Sequence, residues 1–588
     1  MSHLSDRLAK TWLTGLWVLA GVVLGLRHLE MPLPPHSAHD GFLLVPQLVQ
    51  LLEGGTPDEA RFGMFHPTWF SPHAISTGSL GWAAFAERLL GNVQSHTWID
   101  VPHPLALMAL ATVFLGGGTW PPVVIQWFYL GLLVFSLYSI GARAHSREAG
   151  LMAGVLALGA PAILGAAQYI EPHLALAAVS TAVVALLIHT DGFARPGVAV
   201  VASLTLWSLS RSGEGSGDAV IAGLVVVGPV VMSIAASDRR LAVGRWVLGL
   251  SALVVPLVLL ADIPWMVAAM ERITRAFADP TVQTDVVEKG GVLSHPVVWS
   301  GAYLVLLVTD YLRPLLALVV GIGFWGLRGA KMRHRWTLVL WVVVPWLALS
   351  VMQRKAAWYG IVLVPPVLLF SAIGLANLDR VGLKRGAVGV AIAQLCLLSF
   401  WPATASEGSL SVLREPLPLH AWRLRRIDLL QPMDTASNRR LVDDLDRLVD
   451  WSRQNPGPIA LMTMGSKHDY AARYYLSMRL GGQSVINLGD PRVRAARYRS
   501  LHPADFSAFV FLDDRAQAWP PDTAQRVWLS EDLRCTEDDP FDVFMAGIMR
   551  RSSARLDGFY PLSGSASAPL GPGQIWSGPS PTGGLCGG

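Results

Sequence analysis

The chain contains a series of apolar stretches, most of them approaching the length of a membrane-spanning helix. A helix needs about 20 apolar residues to cross a bilayer. Only 15% of the residues are charged, whereas a soluble domain carries about 25%. The pattern therefore predicts a polytopic α-helical membrane protein. The apolar stretches cover approximately residues 11–27, 104–116, 121–142, 149–167, 172–190, 196–210, 219–237, 246–262, 297–327, 336–353, 361–378 and 386–402.

The distribution of Lys and Arg orients these stretches, because cytoplasmic loops are enriched in basic residues. The basic loops 143–147, 238–245, 328–335 and 379–385 are predicted to be cytoplasmic, together with residue 1. These assignments agree if 104–116 does not fully cross and 297–327 crosses once. They give about eleven crossings, or thirteen if further short segments cross. The first stretch follows Arg7 and Lys10, but no small-residue cleavage motif follows it, which predicts an uncleaved first span.

The sequence divides into three parts. Residues 1–402 are predicted to form the membrane domain, in which 28–103 is a long first extracytoplasmic loop with amphipathic helices at the membrane surface. A plain extracytoplasmic subdomain is the alternative for that loop. Alternating strand and helix patterns predict a soluble, extracytoplasmic α/β domain over 403–563. The Gly-, Pro- and Ser-rich segment 564–588 is predicted to be disordered.

Within the soluble part, the expected elements are assigned from their periodicity. Strands are predicted over Ile459–Met464, Ser484–Leu488 and Phe506–Leu512, with helices over 437–449 and His468–Leu480. No glycine-rich phosphate loop follows any strand.

Charge and cysteine content exclude some functions. The net charge of +4 is small and spread over loops of the cytoplasmic type, which argues against a nucleic-acid partner. The three cysteines have no metal-site spacing. Cys535 and Cys586 could pair in an oxidising compartment, or they could be unrelated thiols.

Two acids fall on the predicted outer side. Asp40, next to His39, could act as a general base, although an acid before an apolar run is also a good helix N-cap. Glu171 with His173 could hold a metal ion or act as a second acid, although Glu-Pro is also a common helix start. A charged group near hydrocarbon is expensive unless it is solvated, paired or metal-bound. Two acids on one rim therefore suggest chemistry.

Cations on the outer side are unexpected for a membrane protein. Arg354 and Lys355 close an outer turn with Tyr359, and Arg211 lies in another outer turn. These residues could bind a lipid phosphate, or they could extend towards headgroups without a specific role. His103 precedes an apolar stretch and could hold a phosphate or cap a helix.

In order, these features resemble the membrane-embedded GT-C glycosyltransferases, in particular the branch of the protein O-mannosyltransferases and the lipid A aminoarabinose transferases. The matching features are Asp40 after the first span, His103-Pro104-Leu105, the stretch Leu137–Arg143, Tyr169–Glu171, His295-Pro296, and Lys355 with Tyr359 before Pro365-Pro366. His66-Pro67, which is closer to Asp40, is the alternative to His103-Pro104-Leu105. The resemblance covers roughly residues 11–402. Where the family usually has a second acid after the first, this chain has Gly41.

The resemblance implies an inverting transfer of a sugar from a polyprenyl-phosphate donor to an extracytoplasmic acceptor. Asp40 would be the base, and Glu171 would assist. The phosphate of the donor would lie against Lys355, Arg354, Arg211 and Tyr359, with His39, His103, His173 and His295 in support. A divalent metal ion, Mg²⁺ or Mn²⁺, could bind Asp40, Glu171 and His173. The protein would lie in a bacterial-type inner membrane, and membrane lipids would surround it.

Two other classes of function stay open at this point. A lipid or small-molecule transporter would carry ionisable residues inside its spans, and here Asp310 and Arg313 are among the few. A non-catalytic membrane scaffold could keep the same fold, because fold does not guarantee activity.

Overall fold

The computed structural model describes residues 6–30, 45, 49, 103–115, 119–168, 170, 172–192, 194–210, 226, 228–231, 303–304, 307–351, 357–400, 435–454, 459–463, 469–480, 485–487, 508–512 and 559–561. The helices before residue 403 are α1 Asp6–Glu30, α2 His103–Leu115, α3 Pro121–Ala144, α4 Arg147–Leu158, α5 Pro161–Ala166, α6 His173–His189, α7 Pro196–Ser210, α8 Arg313–Gly326, α9 Arg335–Val351, α10 Val364–Asn377 and α11 Val381–Phe400. A π-helical turn, Leu307–Tyr311, precedes α8, and a 3₁₀ helix, Ala357–Leu363, precedes α10.

The described helices coincide with the apolar stretches of the sequence. Three helical segments, Asp6–Leu26, Pro121–Ala144 and Gly360–Asn377, are long and apolar enough to cross a membrane, and five shorter apolar helices accompany them in the described part of the chain. The 13-residue α2 is about 20 Å long at 1.5 Å per residue, which is short of a bilayer core of about 30 Å. The number of crossings stays a prediction.

Two apolar stretches predicted to cross as single helices are interrupted. The stretch 149–167 breaks between α4 and α5, because Pro161 lacks the N–H that a continuous helix requires and Ala160 is extended. Gly159 at this break also lies against α11, where an added Cβ would be 2.6 Å from the Cα of Ala391. The stretch 297–327 breaks at Arg313, which has a left-handed φ of 62°.

The basic loops meet at one end of the helix bundle. Arg333 donates its backbone N–H to the carbonyl of Ala144 at 2.8 Å, and His145 Nδ1 lies 3.0 Å from the carbonyl of Lys331. Lys384 pairs with Glu148 at 3.2 Å. The loops 143–147, 328–335 and 379–385, each predicted to be cytoplasmic, therefore share one end, here called the basic end. Loop 238–245 lies outside the described residues.

The N-terminus belongs to the same end. The hydroxyl of Tyr138, near the end of α3, donates to Asp6 Oδ1 at 2.5 Å. Helix α1 therefore runs from the basic end to the other end of the bundle, here called the opposite end.

A reciprocal pair of tryptophans holds α1 against α3. The indole rings of Trp17 and Trp127 stack with centroids 4.3 Å apart, and each Nε1–H donates to the other residue's backbone carbonyl at 3.0 Å. A glycine four residues further on in each helix accepts the ring of the partner. An added Cβ at Gly21 would lie 2.6 Å from Trp127 Cε2, and one at Gly131 would lie 2.8 Å from Trp17 Cε2.

Helices α8 and α10 make direct backbone contact. An added Cβ at Gly374 would overlap the carbonyl oxygen of Gly323 and would lie 2.9 Å from the backbone nitrogen of Leu327. Small residues allow this approach in membrane helices, where packing rather than the hydrophobic effect drives association. Asn377 extends the contact by donating to the carbonyl of Gly326 at 3.0 Å.

After residue 403, the predicted strands and helices are present with small shifts in their ends. They are α12 Thr435–Gln454, β1 Ile459–Thr463, α13 Asp469–Leu480, β2 Val485–Asn487, β3 Ala508–Leu512 and β4 Phe559–Pro561. The sheet has the order β2-β1-β3-β4, in which β1 is parallel to both neighbours. Strand β4, which the sequence analysis did not identify, pairs antiparallel with β3.

Side-chain hydrogen bonds join α12 to α13. Tyr475 donates to Asp446 Oδ1 at 2.6 Å, and Arg479 donates to the Tyr475 hydroxyl at 3.0 Å. Burial, together with the Asp446 carboxylate, raises the pKa of Tyr475. The tyrosine therefore stays protonated and keeps donating at neutral pH. The predicted tail 564–588 lies outside the described residues.

Candidate active site at the opposite end

Most of the site residues predicted from the sequence lie outside the described residues. These are His39, Asp40, Glu171, Arg211, His295, Arg354 and Lys355. The backbone of Tyr359 is described, and it belongs to the 3₁₀ helix. His103 and His173 are described with their side chains.

Contacts between histidines and hydroxyl groups mark the opposite end. His28, near the end of α1, lies 3.0 Å from the hydroxyl of Thr119, just before α3 begins. His103, the first residue of α2, lies 3.4 Å from the hydroxyl of Ser208 near the end of α7. The ends of α1 and α7 and the beginnings of α2 and α3 therefore meet here. The sequence analysis did not predict His28 or Thr119 as site residues. The pattern that could have identified them is a polar residue at the end of one apolar stretch and another at the start of an antiparallel one.

Burial lowers the pKa of His28 to about 4, so its imidazole is neutral at neutral pH. It lies just past the apolar span that ends at Leu26. A neutral imidazole can donate or accept one hydrogen bond at each ring nitrogen. The hydroxyl of Thr119 can take either role.

His103 also packs edge-on against Tyr129, with ring centroids 6.3 Å apart. The Tyr129 side chain is 8% exposed, and its hydroxyl has no hydrogen-bond partner among the described residues. A buried unpaired hydroxyl costs about 1–3 kcal/mol, so a polar partner such as water or a ligand group would be stabilising here. His103, Ser208 and Tyr129 form a polar cluster between α2, α3 and α7.

His173 begins α6 and is buried, with 5% of its surface exposed. Ile170 and Pro172, the neighbours of Glu171, are buried as well. Helix α6 packs against the 3₁₀ helix that contains Tyr359. The segment that adjoins Glu171 and the segment that follows Lys355 are thus in contact.

Two buried tyrosines hold the 3₁₀ helix in place. Tyr303 and Tyr311 are 1% and 0% exposed. An added Cβ at Gly360 would lie 2.7 Å from Tyr303 Cδ1 and 2.8 Å from Tyr311 Cε2. Only glycine at this position lets the 3₁₀ helix approach the π-helical turn, an element that often occurs at functional sites. The sequence analysis did not predict this contact, because two tyrosines eight positions apart in an apolar stretch match no known motif.

The predicted metal set cannot be assembled from the described residues. No group of three or more His, Cys, Asp or Glu side chains that could hold an ion occurs among them. Of the predicted ligands, His173 is described, whereas Asp40 and Glu171 are not.

Comparison with solved structures decides the fold. ArnT from Cupriavidus metallidurans matches with a TM-score of 0.50 and 15% sequence identity, over 88% of this chain and 91% of that chain, both in the apo state and bound to undecaprenyl phosphate. The chain has the GT-C fold. The archaeal oligosaccharyltransferase AglB from Archaeoglobus fulgidus matches with a TM-score of 0.42 and 10% identity, over 85% of this chain and 69% of that chain. No protein-family model and no curated protein sequence matches the chain.

The GT-C fold confirms the resemblance identified from the sequence at the level of the fold. At 15% identity the likeness does not extend to individual residues, so the roles of Asp40, Glu171 and Lys355 stay predictions.

Proposed function

We propose that this GT-C protein is a glycosyltransferase that moves a sugar from a polyprenyl-phosphate carrier to an acceptor outside the cytoplasm. The main observation in support is the fold shared with ArnT over nearly the whole of both chains. That ArnT was captured with undecaprenyl phosphate, and a lipid phosphate of this kind is the carrier that we propose for the donor. The sugar would be a hexose or a pentose, and the acceptor a lipid, a glycan or a protein.

The arrangement of the two ends supports the proposed location of the reaction. The predicted cytoplasmic loops meet at the basic end, so we assign the opposite end to the extracytoplasmic side of a bacterial-type inner membrane. The described segments that adjoin the predicted site residues lie at the opposite end: α1 ends before Asp40, α6 begins after Glu171, and the 3₁₀ helix begins after Lys355.

In the proposed reaction, Asp40 accepts a proton from the acceptor while the acceptor attacks the anomeric carbon of the sugar. The bond between that carbon and the carrier phosphate breaks in the same step, which inverts the configuration. Lys355, Arg354, Arg211 and Tyr359 would stabilise the negative charge that develops on the departing phosphate. Glu171 would assist Asp40.

A divalent ion held by Asp40, Glu171 and His173 is a further part of the proposal. Carboxylate oxygens suit Mg²⁺ and Mn²⁺, and such an ion would supply additional positive charge to the phosphate. Activity that survives chelation with EDTA would remove the ion from the proposal and leave the carboxylate roles in place.

The segment after residue 403 is proposed to form a soluble domain on the extracytoplasmic side. Its parallel strands β1, β2 and β3, with α13 between β1 and β2, are typical of α/β architecture. Such a domain could cover the site or select the acceptor.

The central test is Asp40→Asn in the full chain, reconstituted in proteoliposomes with a panel of polyprenyl-phosphate-linked sugars. Release of the free polyprenyl phosphate measures consumption of the donor. Loss of a general base lowers turnover by about 10²–10⁴-fold. Asp58→Asn is the matched control, because it makes the same chemical change in the same predicted loop.

Two results would contradict the proposal. Equal turnover by wild type and Asp40→Asn would remove Asp40 from the mechanism. If wild type consumes no donor of the panel but moves the intact lipid-linked sugar between leaflets, the protein is a transporter with a GT-C fold.

A further inference from the structure

The basic end carries a patch of ionisable side chains from three chain segments. Arg143 comes from the end of α3, His189 and Asp191 from the end of α6, and Arg333 and His334 from the loop between α8 and α9. This set is called the basic patch below. The proposed transfer reaction uses none of its residues.

Interactions between the three segments bring the patch together. Arg143 Nη2 lies 3.7 Å from Asp191 Oδ2, and the backbone N–H of Arg333 is bonded to the carbonyl of Ala144, the residue after Arg143. His189 is held by its Nδ1, 2.9 Å from the carbonyl of Ala185. The patch is therefore fixed by backbone contacts as well as by its charged groups.

Positive charge exceeds negative charge in the patch. Burial and the neighbouring cations Arg143 and Arg333 lower the pKa of His334, and Asp191 opposes them. The Asp191 side chain is 56% exposed. Arg143 is paired with this one solvated carboxylate, and Arg333 brings a second guanidinium group to the patch, so positive charge remains for a second anion.

The backbone of the patch is constrained in an unusual way. Three described residues other than glycine have a positive φ, and two of them, Asp191 and His334, both at 55°, lie in this patch. Such conformations persist only where the surrounding structure fixes them, and they cluster at binding sites.

The patch lies at the depth of lipid headgroups. Trp325, near the end of α8, and Trp336, near the beginning of α9, flank the loop that carries Arg333, and they are 56% and 55% exposed. Exposed tryptophans of membrane proteins concentrate at the headgroup level. The guanidinium of Arg335 lies 4.9 Å from the centre of the Trp336 ring, as expected of a cation at that level.

We propose that the basic patch binds the phosphate of an anionic phospholipid from the leaflet that surrounds the basic end. Basic pockets between membrane helices on the cytoplasmic side typically bind such headgroups. Arg143 and Arg333 would contact the phosphate, because a guanidinium can donate two parallel hydrogen bonds to it. The flanking tryptophans favour a lipid over a soluble phosphate.

The test measures binding of phosphatidylglycerol and of phosphatidylcholine with the same acyl chains to the full-length protein in detergent, by native mass spectrometry. Wild type is expected to retain phosphatidylglycerol preferentially. Each cation near the surface changes affinity by about fivefold, so Arg143→Gln with Arg333→Gln should weaken phosphatidylglycerol binding about 25-fold. Retention of phosphatidylcholine should not change.

Arg380→Gln with Arg385→Gln is the matched control. Both arginines are exposed near the start of α11, whose Lys384 pairs with Glu148 at the basic end, and neither belongs to the basic patch. This variant removes the same charge and should keep the preference for phosphatidylglycerol.

Three outcomes overturn the proposal. The first is equal retention of both lipids by wild type, a result that does not depend on the folding of any variant. The second is weakening of binding by the control pair to the same extent as by the patch pair, which would reduce the effect to net charge. The third is displacement of the lipid by glycerol phosphate at equal concentration, which would identify a site for soluble anions.

Discussion

The reciprocal tryptophans Trp17 and Trp127 allow hydrogen bonding and ring stacking to be measured separately. Trp17→Leu removes one indole hydrogen bond and the stacked pair, and Trp127→Leu does the same from the other helix. The acceptors are backbone carbonyls, so each mutation leaves the other indole's hydrogen bond intact. The hydrogen bonds are therefore lost independently, whereas the stack is lost once.

The magnitudes follow from this difference. A hydrogen bond between membrane helices contributes about 0.6–1 kcal/mol, and an aromatic pair about 1 kcal/mol beyond its area. Each single variant should lower the free energy of unfolding by about 2 kcal/mol. The double variant should lower it by about 3 rather than 4 kcal/mol, which gives a coupling energy of about 1 kcal/mol.

The free energy of unfolding can be measured by titrating the purified protein with SDS in mixed micelles and following far-UV circular dichroism. Trp12→Leu is the control, because Trp12 lies in the same helix and its side chain is 61% exposed. It should change stability by less than about 0.5 kcal/mol. Strictly additive single variants, or a control as destabilising as Trp17→Leu, would refute the reasoning.

Three further predictions concern packing, pH and a buried ion pair. Gly374→Ala should lower the free energy of unfolding by about 1–3 kcal/mol, since the added Cβ meets backbone atoms that cannot rotate away. Gly389→Ala is the control and should not lower the melting temperature, because no atom lies within 4 Å of the added Cβ. Wild type should lose stability between pH 7 and pH 5, because unfolded histidine binds a proton below about pH 6.5 while the pKa of His28 is about 4. A His28→Gln variant with the same pH dependence of melting would exclude this cause. Lys384→Met should lower the free energy of unfolding by about 3 kcal/mol, because the carboxylate of Glu148, which is 13% exposed, loses its partner. Adding Glu148→Gln should restore most of the lost melting temperature. A double variant that is no more stable than Lys384→Met would contradict the pairing.

Much of the fold follows from hydropathy and charge. Helix α3, Pro121–Ala144, coincides with an apolar stretch of 22 residues over 121–142, because a chain in lipid must satisfy its backbone groups within one helix. The basic loops were grouped on one side by their Lys and Arg content alone, and Arg333 and Ala144 are in contact at that end.

The remaining features depend on tertiary contacts that hydropathy does not report. The close contact of Gly159 with Ala391 joins residues more than 200 positions apart in the sequence. Strand β4, Phe559–Pro561, has only three residues and depends on its pairing with β3. In the candidate site, no local sequence pattern predicts that Tyr129 and Ser208 lie beside His103, because the three residues come from three separate helices.

The backbone contact between α8 and α10 has a consequence for synthesis. The loops that follow α8 and α10 both lie at the basic end, so the two helices run in the same direction, and α9 must return the chain to the opposite end before Gly374 can reach Gly323. Until residue 377 has been translated, the small-residue face of α8 has no partner. This contact therefore forms only after α9 and α10 have been synthesised, and a chain that ends after α9 would lack it.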